Sequence, residues 1–324
     1  MSSDPSFPPH SDGKRVVVAL GGNAITRHGE AGLVDQDYAN LRRSLLGVVD
    51  LVAAGFEVVL THGNGPQVGN QMIRVEMARD SAPDLPLDVM VADLQGGLGY
   101  MIERVLRNQL LGRGLKTPVC TLLSLVEVDP EDPAMTRPTK FVGPAYDASE
   151  ARALEAERGW KLVEDRGRGF RRVVPSPQPK AIVERDLIRT LTDAGALVIV
   201  TGGGGIPVSR SPTGDLNGVE AVIDKDMAAA LLAYDVGAED LYILTSVEHV
   251  MLDFETPEAR PLARVEVAEM RRHLDAGQFP AGSMAPKVEA ACRFLEAGGK
   301  RALITDIFAL GAALEGHTGT WIVA

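Results

Sequence analysis

Short apolar runs alternate along this chain with stretches whose apolar positions recur at helical spacing. Residues 16–20 and 56–61 read as strands, and between them residues 37–54 place Leu41, Leu45, Val48, Val49 and Val52 on one helical face. A long helical region over 87–112 leads to a strand ending near Leu125. The alternation stops across 126–180, where Pro, Gly, Arg and Asp accumulate. It returns with a helix at 181–194, a strand at 196–201, a helix at 225–234, a strand at 241–246, a helix at 286–297, a strand at 302–305 and a closing strand in "GTWIVA". Alternation of this kind predicts an α/β fold around a mostly parallel sheet. The interruption predicts an excursion from that sheet, a small strand-containing lobe. No internal repeat or low-complexity tract is present.

Composition narrows the picture without changing it. The chain has 324 residues, 45% hydrophobic and 24% charged, as in an ordinary globular protein with a substantial core. Its formal net charge of -11, from 33 basic and 44 acidic residues, argues against nucleic acid or an anionic membrane surface as partner. An anionic substrate would therefore need a local cluster of positive groups. Cys120 and Cys292 are the two cysteines, so neither a disulfide framework nor a cysteine metal cluster is expected, which suits a reducing cytoplasm. The polar, proline-rich residues 1–14 lack the apolar segment of a signal peptide and read as a disordered tail. No apolar run approaches the ~18 residues of a membrane span.

The candidate chemistry lies where strands end. Residues 61–70 read "THGNGPQVGN": Gly63 and Gly65 permit close approach to the backbone, and Pro66 suits a first helical turn. The first strand ends in "ALGGNAI", with Gly21, Gly22 and Asn23, and the strand at 196–201 ends in "TGGGGIPV", with Gly202–Gly205. One such turn is ordinary punctuation. Three at the carboxyl ends of strands in an open α/β sheet mark the place where ligands bind, and helix N-termini there favour phosphate.

Two lysines sharpen the case. Asp224 in "IDKDMAAALLA" reads as an N-cap, putting Lys225 in the first helical turn, and Pro286 in "GSMAPKVEAACRFLEAGG" does the same for Lys287. A lysine there opposes the helix dipole by ~0.3–1 kcal/mol. Two helices with this disfavoured placement suggest a shared anion, with Asp226 between the ammonium groups. Lys140 in "RPTKFVGP" is a third candidate, and a surface-loop reading stands equally open for it. Arg166, Arg168, Arg171 and Arg172 read as a solvated face of the lobe. His62 and His249 have no partners at metal-ligand spacing. The P-loop, the dinucleotide-binding G-x-G-x-x-G after the first strand and the protein-kinase motif set are all missing.

Together these residues resemble the carbamate kinases of the amino acid kinase superfamily. The resemblance rests on "VVVALGGNAI", "HGNGPQVGN", "PLDVMVADLQGGLGY", "RPTKFVGP", "GRGFRRVVPSPQP", "GGGGIPV", "GVEAVIDKDMAA" and "GSMAPKVEAA", in family order from about Val16 to the C-terminus. It implies a three-layer α/β/α sandwich with a mainly parallel eight-stranded sheet over 15–324, a protruding lobe at about 126–175 and a cytoplasmic homodimer. It implies reversible phosphoryl transfer between ATP and carbamate, giving ADP and carbamoyl phosphate, with Mg²⁺ carried by the nucleotide and no protein-ligated metal. Lys225 and Lys287 would stabilise the transferring phosphoryl and Asp226 would orient them. Gly21, Gly22, Asn23, Gly63, Asn64, Gly65 and Lys140 would line the carbamate side, and Gly203, Gly204 and Met284 the nucleotide side. Relatives in the superfamily carry a first-strand lysine where this chain has Ala19. "LTSVEHV" also departs from the family, with Ser246 and His249 where Gly and Tyr are common. A kinase of another small carboxylate or phosphate, or a non-catalytic nucleotide-binding regulator, are the rival readings.

Overall fold

The computed structural model describes residues 14–27, 29–30, 32–165, 167 and 169–324. The expected tail up to residue 13, and Arg166 and Arg168 of the basic run, lie outside them. Strand β1 (Arg15–Leu20) is followed by α1 (Val34–Ser44), α2 (Leu46–Ala53), β2 (Glu57–His62), α3 (Gly65–Met77), the long α4 (Leu87–Gly112) and β3 (Val119–Thr121). Then come β4 (Leu125–Val128), α5 (Pro133–Thr136), β5 (Lys140–Tyr146), α6 (Ala148–Arg158), β6 (Leu162–Glu164), β7 (Phe170–Val174) and β8 (Pro179–Ile182). The next stretch supplies α7 (Arg185–Asp193), β9 (Leu197–Ile199), β10 (Ile206–Arg210), β11 (Leu216–Gly218), α8 (Lys225–Asp235) and β12 (Asp240–Thr245). The hairpin β13 (Val250–Leu252) and β14 (Arg260–Leu262), then β15 (Arg264–Glu266), α9 (Val267–Asp275), α10 (Ala285–Glu296), β16 (Arg301–Asp306), α11 (Leu310–Leu314) and β17 (Thr320–Val323) complete the chain.

The main sheet has eight strands in the order β15-β17-β16-β12-β1-β2-β9-β3. All its pairings are parallel except β16 with β17. Because side chains alternate across a strand, β1 feeds two separate cores. Val17 and Ala19 pack with Met227, Leu232 and Val288 of α8 and α10. Val16, Val18 and Leu20 pack with Leu41, Val48 and Ile102 of α1, α2 and α4. That is the three-layer sandwich. Near-continuous apolar strands are what burial on both faces demands.

Three boundaries differ from the sequence pattern. The helix expected over 181–194 begins at Arg185, after strand β8 has run to Ile182. The helix expected over 37–54 pauses at Leu45, yet the Leu45 amide still donates to the Leu41 carbonyl and the Val49 amide to that of Leu45, so its apolar face continues. The strand expected to end near Leu125 is two strands in different sheets. Between them, buried Ser124 is clamped by Gln95: its amide donates to Gln95 Oε1 at 2.9 Å, and Gln95 Nε2 donates to its carbonyl at 3.2 Å. A side chain thus satisfies backbone groups that a ladder would otherwise claim, and the chain turns out of the sheet.

The interrupted stretch divides in space. β4 and β8 join β10 and β11 in a four-stranded sheet, and Val126 and Val128 are buried against the α7–α8 core. β5, β7 and β6 form a separate three-stranded sheet with α6 packed on β7. Arg172 on β7, read from sequence as solvated, is 8% exposed: it pairs with Glu220 at 3.2 Å and lies over the Trp160 ring. A basic run seen in one dimension cannot show that an acid and an aromatic face it from elsewhere in the chain.

Candidate active site

The sheet order sets β1, β2 and β9 side by side, so their glycine turns meet at one end. They border a cavity of about 240 Å³ lined by Gly22, Gly63, Asn64, Gly65, Lys140, Gly203, Lys225, Asp226 and Lys287, among others. Ten dispersed sequence positions thus resolve into one site with three lysines on its wall once Asp224, which also lines it, is added. Met284 lies on a second cavity of about 270 Å³, which shares Ser283 and Lys287 with the first.

Gly21, Asn23 and Gly204 are not among the residues lining either of these two cavities. Gly21 gives its amide to the Leu244 carbonyl, Asn23 is exposed, and a Cβ on Gly204 would stand 2.4 Å from the Ile223 carbonyl oxygen. The amide of Gly63 is likewise spent on the Leu20 carbonyl at 2.9 Å. These glycines therefore act by allowing segments to approach, more than by offering N–H groups. Gly203 shows this: with φ +70, a Cβ there would lie 2.0 Å from Asn64 Nδ2. Asn64 itself is buried, and its Nδ2 has no hydrogen-bond partner among the described residues. A buried donor left unpaired costs about 1–3 kcal/mol.

The charges are built with similar economy. Asp224 caps α8 by accepting from the amides of Asp226 and Met227, as the sequence suggests. Its other oxygen accepts from Lys140 at 2.9 Å, tying β5 to the cleft. Asp226, 3% exposed, takes Lys225 at 2.5 Å and Lys287 at 3.3 Å on its two oxygens. Lys287 also donates to the Ser283 carbonyl. Burial alone would raise the Asp226 pKa, but the two ammonium groups override it and hold the carboxyl below the usual range. Burial, helped by Lys287, pulls Lys225 below its ordinary value, against the attraction of Asp226. One carboxylate between two ammonium groups leaves a net positive charge facing the cavity.

Sequence comparison places this geometry in context. The amino acid kinase family model matches residues 14–306. The carbamate kinase of Pyrococcus horikoshii is 47% identical over 95% of this chain and 99% of its own length. A carbamate kinase-like protein of Escherichia coli, YahI, is 46% identical over 95% of this chain and 98% of its own. The chain belongs to the carbamate kinases of the amino acid kinase family. Among solved structures, carbamate kinase from Giardia lamblia bound to AMP-PNP superposes with a TM-score of 0.91 at 42% identity, covering 96% of this chain and 98% of that one.

Some parts of this carbamate kinase site carried little sequence signal. Gln95 holds both Ser124 and the Gly202 carbonyl, fixing the third glycine turn from behind. Its one trace in sequence is a polar residue three before Leu98 on the buried face of α4. Thr201, just before that turn, has φ 48 and is held by Ser124 Oγ on its amide and Thr61 on its hydroxyl. Strain at a non-glycine residue persists where surrounding bonds over-determine it. His62 is buried, its Nδ1–H donating to the Gly63 carbonyl at 3.0 Å while Nε2 abuts Gly202, so it spaces two of the turns. Burial pushes it down to about 4, with Lys225 acting the same way.

Proposed function

We propose that the protein catalyses reversible phosphoryl transfer between ATP and carbamate, giving ADP and carbamoyl phosphate. The observation that carries this is the cluster of Lys140, Lys225 and Lys287 around one cavity, with Asp226 fixing two of them. Carbamate is already an anion, so it needs no general base. The task is to bring two anions together and to neutralise the charge that spreads over the transferring phosphoryl. Lys225 and Lys287 would bear on that group, Asp226 would hold them in register, and Lys140 would receive the acceptor substrate.

The second cavity, with Val247, Met251, Phe254, Pro280 and Met284 on its walls, suits the nucleobase and joins the first at Lys287. Mg²⁺ carried by the nucleotide would supply neutralisation of the phosphate charge in such a transfer. Asp224 and Asp226 are engaged by lysines, so we place the ion on the nucleotide, with these two carboxylates nearby. The outlying sheet β5-β7-β6 with α6 would act as a lid carrying Lys140. A cytoplasmic homodimer completes the reading. In support, Val89, Tyr100 and Leu111 recur every eleven residues on α4 and are exposed. Sedimentation at a monomer's mass would remove that part.

The decisive test supplies ADP, Mg²⁺ and carbamoyl phosphate to the pure protein. ATP should form far faster than in a protein-free control. A folded sample that forms none contradicts the assignment, and a panel of other acyl phosphates separates the rival kinases. The intact Lys225–Asp226–Lys287 triad speaks against a regulator without catalysis.

A further inference from the structure

Helix α1 buries three polar side chains at helical spacing. Asp37, Asn40 and Ser44 stand three and four residues apart, and each is 6% exposed or less. A helix with no task beyond packing would carry apolar residues there, because a buried polar group costs stability unless it is bonded. All three are bonded, and to one short piece of chain. Ser44 Oγ donates to the Ala24 carbonyl at 3.0 Å, Asn40 Nδ2 donates to the Ile25 carbonyl at 2.9 Å, and Asp37 Oδ1 accepts from Thr26 Oγ1 at 2.8 Å. Residues 24–26 close the turn that begins at Gly22, whose carbonyl accepts from the amides of both Ile25 and Thr26.

The same grip reaches the second glycine turn. The Thr26 hydroxyl has one hydrogen and gives it to Asp37, so toward Gln67 of α3 it can only accept. Gln67 Nε2 donates to it at 2.8 Å. Gln67 follows Gly65 and Pro66, which line the first cavity, as Gly22 does. Pro66 Cδ lies 3.6 Å from where a Cβ on Gly22 would stand, so the two turns are near contact. Gly22, Gly65 and Pro66 are not among the residues lining the second cavity. We propose that Asp37, Thr26 and Gln67 are positioning residues that set Gly22 against Gly65 and Pro66, and so govern the fit of carbamoyl phosphate, but not of nucleotide. The inference rests on the kinase reading above. None of the three touches substrate; they act through the turns that they hold.

Initial rates of ATP formation from ADP, Mg²⁺ and carbamoyl phosphate, beside calorimetric titration of ADP and thermal unfolding, test this in wild type and three variants. Gln67→Met keeps the length of the side chain and removes its amide, whose oxygen has no partner among the described residues. Exchanging a half-bonded buried amide for an apolar group costs little stability, so the melting temperature should hold. The kcat/KM for carbamoyl phosphate should nevertheless fall roughly tenfold, with ADP affinity unchanged. Thr26→Val breaks the bonds to both Asp37 and Gln67, so it should lose more of kcat/KM and some thermal stability as well. Thr26→Ser returns the hydroxyl and should recover most of both. Wild-type kcat/KM in Gln67→Met, an equal loss of ADP affinity, or no recovery in Thr26→Ser overturns the inference and leaves the kinase reading standing. A folded wild type that forms no ATP overturns both.

Discussion

Lys225 is the residue on which charge and geometry bear most directly. It sits in the first turn of α8, against the dipole, and is pinned to buried Asp226. Ala19, near the end of β1, is a buried core residue, so that end of β1 offers no ammonium group to substitute. Lys225→Met should lower kcat by roughly 10³-fold or more while nucleotide affinity stays within about tenfold. Steady-state kinetics beside ADP titration would show it, and a near-normal kcat would refute the role. His62 makes a different prediction, about pH. Its folded pKa, about 4, lies below the ordinary 6.5, so the unfolded chain takes up the proton first. Its contribution is complete above about pH 6.5 and is lost as pH falls toward about 4, reaching about 2–3 kcal/mol by pH 4.5. His62→Asn keeps a donor for Gly63 without that titration, so it should lose less stability than wild type between pH 7 and 4.5. Equal losses in denaturant unfolding would show that His62 is not held neutral.

At the scale of elements, α8 is where a cap and a site coincide. Asp224 ends the turn before the helix and anchors Lys140 of β5 with the same carboxylate. The two duties separate by substitution. Asp224→Asn retains a capping oxygen and should keep stability within about 0.5 kcal/mol, whereas Asp224→Ala should cost about 1 kcal/mol. Both release Lys140, and both should raise KM for carbamoyl phosphate several-fold to a similar extent. Urea unfolding and initial-rate kinetics measure the pair, and an unchanged KM in Asp224→Asn would show that the ion pair does not position Lys140. The cap was legible in sequence because it is local, the three residues "DKD" opening an alanine-rich helix. Its bond to Lys140 was not, since 84 residues separate the partners.

For the whole molecule, the excursion from the sheet sets the experiment. β4 and β8 are part of the four-stranded sheet, and Val126 and Ile182 are buried in the α7–α8 core, so a cut at residue 126 would open the molecule. Replacing 129–177 by a short linker spares them and removes the β5-β7-β6 sheet together with Lys140. The shortened protein should unfold cooperatively and bind ADP, yet form no ATP from carbamoyl phosphate. Loss of ADP binding together with cooperative unfolding would make this part a structural element of the core. The ion pairs Arg158–Glu76 and Arg172–Glu220 bridge it to the body, and nothing in the local sequence foretold them.

What the sequence determined alone is what local periodicity can carry. The strand and helix succession, the glycine turns after β1, β2 and β9, the capped start of α8 and the misplaced lysines all follow from spacing of a few residues. Asp226 beside Lys225 belongs to the same class, whereas its bond to Lys287, 61 residues away, does not. Tertiary structure decided the rest. Strand order is not written in any single strand, and it is the adjacency of β1, β2 and β9 that makes three turns one cavity. Only packing spends the amides of Gly21 and Gly63 on neighbouring carbonyls, and leaves Asn64 Nδ2 without a partner among the described residues. Burial of a polar group is settled by what the rest of the chain sets against it, and that lies beyond the reach of a local pattern.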